Sequence, residues 1–84
     1  MLYKVYARLR DSYACTFTNK TIEIDVGFGF VLTITHELRA GLNIFKIVSN
    51  RGSNHVYIDC PLDKNGYSDI IPLYRFIEDF SRLL

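Results

Sequence analysis

Four side chains in this 84-residue chain offer the nitrogen and sulfur ligands from which zinc sites are built: His36, His55, Cys15 and Cys60. Zinc sites made of such groups draw pairs of ligands from short spacings, Cys-x-x-Cys or His-x-x-x-His, because two ligands must converge from one turn or one helical face. None of the four is paired in that way, and Cys15 falls in an alternating run that points it into the core, where a single thiol behaves as a small hydrophobe. A bound metal and a Cys15–Cys60 disulfide are minor alternatives, and no cofactor is expected.

Acid–base chemistry has two candidate sets. His55 and Asp59 share one face of an extended run, but four residues of strand separate them by about 13 Å, too far for a direct hydrogen bond. Glu23 and Asp25 stand about 7 Å apart on a face with no sign of a cleft. Catalysis needs a nucleophile and base, or converging carboxylates, beside a pocket, so the expectation is a protein that is not an enzyme. Gly27-Phe28-Gly29 is not a nucleotide loop, because position 32 is Leu and no helix follows. An aromatic at position 28 either tucks back onto the sheet or serves as a binding anchor.

The elements that position these residues are read from residues 20 to 36. Ile22, Ile24 and Val26 alternate with Thr21, Glu23 and Asp25, and Phe30, Leu32 and Ile34 resume the pattern after Gly27-Phe28-Gly29. Folding there over a three-residue loop sets Val26 against Phe30, Ile24 against Leu32 and Ile22 against Ile34. A slip of one residue would turn every apolar side chain outward, so the register is well specified. A hairpin at Asn19-Lys20 places Phe17 opposite Ile22, Cys15 opposite Ile24 and Tyr13 opposite Val26. Residues 2 to 10 also alternate (Tyr3, Val5, Ala7 and Leu9 against Lys4, Tyr6, Arg8 and Arg10), and a turn at Asp11 would add them as a first strand.

Residues 36 to 41 read as a loop with a helical turn at Glu37-Leu38-Arg39. Leu42 to Val48 and His55 to Cys60 read as two further strands, with Phe45, Ile47, Val56 and Ile58 on the inner face. The tail changes period: Leu73, Phe76, Ile77, Phe80 and Leu84 mark an amphipathic helix, capped by Ser68 or Asp69, with Pro72 in its first turn. The expected fold is α+β, an antiparallel meander of five to six strands with the C-terminal amphipathic helix packed on one face. A small curled barrel or sandwich capped by the helix is the alternative.

Length and composition bound the rest. The chain is one domain, 49% hydrophobic and 14% aromatic, which argues against disorder. Its net charge of +1 gives no global pull toward nucleic acid or an anionic surface. No apolar run approaches the ~18 residues of a membrane span. With no signal-peptide pattern at the start and only two cysteines, a cytoplasmic setting is expected.

Two surfaces then stand out. Val31, Leu42, Ile44, Val48 and Tyr57 share the outer side of the sheet, rimmed by Lys46, Asp59 and His55. If the helix covers the inner side, these groups form a protein contact surface, with Phe28 as an additional anchor. The second surface is basic: residues 1 to 22 hold Lys4, Arg8, Arg10 and Lys20 against Asp11, a local charge of +3. Lys4, Tyr6, Arg8 and Arg10 on one strand face could grip a nucleic-acid backbone and stack a base, although Glu23 and Asp25 on the same face would repel phosphate.

The leading expectation is a small non-catalytic protein-binding module. Its expected setting is a stand-alone phage or mobile-element inhibitor that blocks a surface of a larger host or defence protein, in the host cytoplasm. Nucleic-acid binding through the basic stretch, and self-association as a homodimer or larger assembly, are the other two readings.

Overall fold

The computed structural model describes residues 2–52, 55–61 and 70–83. Five strands, β1 (Ala14–Thr18), β2 (Thr21–Gly27), β3 (Phe30–Arg39), β4 (Leu42–Ser49) and β5 (His55–Pro61), pair with their chain neighbours in one antiparallel sheet. The sheet is open, with β1 and β5 as its edges, so the chain does not adopt the curled-barrel or sandwich alternative. Helix α1 (Leu2–Leu9) precedes the sheet and helix α2 (Ile71–Leu83) follows it.

The central hairpins follow from alternation and turn chemistry. Phe17 pairs with Ile22 and Cys15 with Ile24, and Ile24 then pairs with Leu32 and Ile22 with Ile34. Asn19 and Lys20 both take positive φ, 49° and 60°, as the two-residue loop that matches strand twist requires. The β2–β3 connection differs from the three-residue loop expected. Gly27 pairs with Phe30, and the register shifts between Asp25 and Gly27. Val26 is thus the extra residue of a bulge, and its expected pairing with Phe30 does not form. The Asp25 carboxylate accepts the Gly27 N–H at 2.9 Å, so this acidic group shapes the bulge. Tyr13 lies before β1, so it has no strand partner in Val26.

Residues 37–39 continue β3 instead of forming a loop with a helical turn. Ala40 and Gly41, at φ 51° and 78°, make another tight turn, and Arg39 pairs with Leu42 across it.

Residues 2 to 9 are a helix, which corrects the expected first strand. Over nine residues, apolar positions satisfy a period of two and a period of 3.6 almost equally well. The helical set wins: Leu2, Val5 and Leu9 are buried, while Tyr3 of the alternating set stays 62% exposed. Arg8 in the last turn suits the negative end of the helix dipole.

In α2, Pro72 sits in the first turn, where its missing N–H costs nothing. The Leu73 and Tyr74 N–H groups both donate to the Ile70 carbonyl. The predicted caps Ser68 and Asp69, and Leu84 of the apolar stripe, lie outside the described residues.

Both helices share one side of the sheet. Leu2, Val5 and Leu9 of α1 and Leu73 and Ile77 of α2 join Ile22, Ile24, Leu32, Ile34, Phe45 and Ile47 in a single buried cluster. Full burial of each such side chain is worth about 1.5–3 kcal/mol. Tyr3 and Tyr6 pack on Phe17, with ring centroids 6.3 and 5.6 Å away, and this fixes α1 over the β1 side. Phe80 meets Phe30 edge-on at 5.8 Å, and this fixes α2 over the β2–β3 hairpin end.

Candidate functional site

With both helices on the inner side, the outer side of the sheet carries no element of the described chain. Strand alternation sends Leu42, Ile44, Lys46 and Val48 outward along β4, and all four are half-buried by their cross-strand neighbours. Lys46 pairs with Tyr57 and Val48 with His55 on β5. Tyr57 is therefore diagonal to both Ile44 and Val48, at a separation aromatic side chains can bridge. Val31 is diagonal to Val48, since Thr33 is the direct partner of Val48. The structure places Ile44, Val48 and Tyr57 as diagonal neighbours on one face of the sheet, with Leu42 and Val31 on the same face toward its two ends.

The patch is narrower than a continuous apolar surface. Lys46 interrupts the β4 column, and Ile44 stands between Glu37 on β3 and Asp59 on β5. A depression of about 420 Å³ lies beside it, lined in part by Thr35, Glu37, Ile44, Lys46 and Tyr57. Tyr57 is 60% exposed at this depression.

Phe28 lies apart from this group, at the tip of the β2–β3 hairpin, and is 77% exposed. Its φ of 56° places a bulky side chain in the left-handed region, which costs roughly 1 kcal/mol or more. So exposed, Phe28 does not tuck back onto the sheet.

The basic residues are redistributed by the helix. Lys4, Tyr6, Arg8 and Arg10 no longer alternate along one strand face. Tyr6 lies on Phe17 and is approached by Arg10 at 5.9 Å, while Arg8 stacks on Tyr74. The Tyr6 ring is therefore engaged inside the protein, and the stacking geometry drawn from the sequence does not form.

The candidate ligating residues also spread out. Cys15 and Cys60, both reduced thiols, lie on opposite edge strands, with three strands between them at about 4.8 Å per step. His36 turns to the inner side, where its Nε2 lies 2.6 Å from Asn43 Oδ1 and its ring packs on Phe45. His55 and Asp59 face outward on β5. Among the described residues no cluster of three or more His, Cys, Asp or Glu side chains is placed to hold a metal, and no helix is long and apolar enough to cross a membrane.

Burial raises the Cys15 thiol above its ordinary pKa, with the Arg10 guanidinium pulling the other way. The Tyr74 phenol is raised by burial too, against a smaller opposing effect of Arg8.

The sequence did not single out Arg51. The β4–β5 connection carries it to the mouth of an apolar cavity between the sheet and α2, and its position in a polar loop gave no hint of that placement.

Fold and surface together define a small α+β domain, a five-stranded meander with two helices on one side and, on the other, a face that no described element covers. No family model, no curated protein and no solved structure matches the chain.

Proposed function

We propose that this chain is a non-catalytic protein-binding module that acts by laying the outer face of its sheet on a larger partner. The observation that carries the reading is the placement of both helices on the inner side, so that among the described residues no element lies over Ile44, Val48 and Tyr57. Tyr57 supplies a large amphipathic contact, Ile44 and Val48 an apolar centre, and Lys46, Glu37 and Asp59 a charged rim that sets register. The setting we propose is a stand-alone inhibitor of the kind phages and mobile elements encode, working in the cytoplasm of the host cell. Such a role needs a compact contact surface and no chemistry of its own.

The test is affinity capture from a native extract with the parent protein and with Ile44→Lys, whose charge is opposite to that of its neighbours Glu37 and Asp59, and Tyr57→Ala. Both positions are on the solvent side of the sheet, so the unfolding midpoints of the variants should stay near that of the parent. A partner retained by the parent and lost by both folded variants supports the reading. Capture that survives both changes rejects this surface. Sedimentation of the purified protein at high concentration separates a heterologous partner from a second copy of the chain.

A further inference from the structure

On the other side of the sheet, a cavity of about 240 Å³ opens between the β2–β3 hairpin end and α2. Its walls are Phe30, Leu32, Ile47, Val56, Phe76 and Phe80, and Arg51 is the charged residue among the described groups that line it. We propose that this cavity binds a small amphiphilic carboxylate, its apolar part held by the Phe30, Phe76 and Phe80 rings and its carboxylate by the Arg51 guanidinium.

Arg51 is held at the cavity by a stitched loop. Asn50 donates its N–H to the Val31 carbonyl at 3.0 Å, accepts the Val31 N–H at 2.9 Å and donates its side-chain amide to the Gly29 carbonyl at 3.0 Å. The Arg51 N–H donates to Ser49 Oγ at 3.1 Å. These bonds tie the start of the β4–β5 connection to the β2–β3 hairpin, so the base of the Arg51 side chain is fixed.

The guanidinium lies 5.0 Å from the Phe30 ring centroid. Gly29 admits it, since a Cβ at that position would come within 2.5 Å of Arg51 Nη2. The ion pairs found among the described residues are Arg39–Glu37 and Arg82–Glu78; Arg51 is in neither. Its planar fork of donors is matched to a carboxylate. An apolar cavity of about 150 Å³ accepts benzene, so this one admits one ring with a short linker, or an alkyl chain of similar bulk. A cationic head would meet Arg51 with like charge, and a neutral one would gain less from it.

The experiment uses the whole protein and three probes that share one apolar part: phenylbutyrate, phenylbutanol and phenylbutylamine. Amide chemical shifts are followed by NMR as each is added. Phenylbutyrate is expected to bind saturably, with the shifts centred on Phe30, Val56 and Phe80, and the amine is expected to bind weakest. Arg51→Gln, an exposed change that leaves the core intact, should weaken phenylbutyrate about tenfold while phenylbutanol changes less than twofold. Val56→Trp should fill the cavity and remove both. Absence of saturable binding at millimolar phenylbutyrate overturns the proposal. So does equal affinity for the three probes, or an affinity for phenylbutyrate that Arg51→Gln leaves unchanged.

Discussion

The Arg8 guanidinium lies over the Tyr74 ring, its Cζ 4.6 Å from the centroid, and couples the first helix to the last. The two helices otherwise approach different parts of the sheet, α1 over β1 and β2 and α2 against β5. A cleft of about 280 Å³ runs between them, lined by Arg8, Leu9, Ser12, Tyr13, Tyr74 and Glu78. The Tyr74 hydroxyl is buried there without a hydrogen-bond partner among the described residues, so the ring contributes contact area and its polar tip opposes folding.

Tyr74→Phe should therefore stabilise the protein, by about 1 kcal/mol, because a buried unsatisfied hydroxyl costs about 1–3 kcal/mol. Urea unfolding of the two proteins measures this. A loss of stability would mean that the hydroxyl has a favourable partner.

The same group sets an alkaline limit. Its pKa is raised in the folded protein by burial, so the unfolded phenol loses its proton first. The buried phenol is unfavourable but the phenolate is more so, so this group leaves stability unchanged with pH below the ordinary tyrosine value near 10 and lowers it as pH rises from there to the folded value. Stability of the parent should fall above about pH 10, and the part due to Tyr74 should vanish in Tyr74→Phe.

Thiol labelling should separate the two cysteines. Cys60 is fully buried and should react only on unfolding. Cys15 is half-buried, and its raised pKa leaves little thiolate near neutrality, so it should react slowly in the folded state. Arg10→Ala removes the opposing charge and should slow Cys15 further; faster labelling would show that the edge strand around it had opened.

Phe28→Asn should raise stability by about 0.5–1 kcal/mol, since Asn tolerates the left-handed conformation better than a bulky aromatic does. If Phe28 is a contact anchor, the same change weakens partner capture. Stability and capture moving in opposite directions would mark the tip as a functional position, and unchanged capture would leave its strain without a role in binding.

Leu9→Ala should cost about 2–5 kcal/mol, because Leu9 is buried against the sheet on the inner side of α1. Lys4→Ala, on the exposed side of the same helix, should cost less than about 0.5 kcal/mol. Equal effects in thermal or urea unfolding would be inconsistent with the observed helix orientation.

The hairpins were legible because two independent signals agree in each. Ile22, Ile24, Leu32 and Ile34 pair in one register only, and Asn19-Lys20 has the residue type a tight turn needs. The first helix was not legible, since Leu2, Val5 and Leu9 and the alternating set Tyr3, Val5, Ala7 and Leu9 compete within nine residues, and packing on Phe17 decides between them. The Ala40-Gly41 turn was hidden because Ala seldom takes positive φ, so Glu37 to Arg39 read as a break in the strand. For the open face, alternation placed Ile44, Val48 and Tyr57 on one side. Whether that side was covered depended on the helices, which periodicity orients about their own axes but does not dock. Arg51 depended on Asn50 reaching back to Gly29, 21 positions earlier, a contact no local pattern encodes.

The linear strand order has a kinetic consequence. Every ladder joins segments adjacent in the chain, so the loop-closure entropy that slows most sheet proteins is small here. The sheet can zip from any of its tight reversals, one ladder at a time, toward a rapid transition with little delay from distant pairing. Among the described residues, the seating of the final helix against the end of the first, where Arg8 meets Tyr74, is a contact that spans most of the chain, and that step should come late and be the first to loosen.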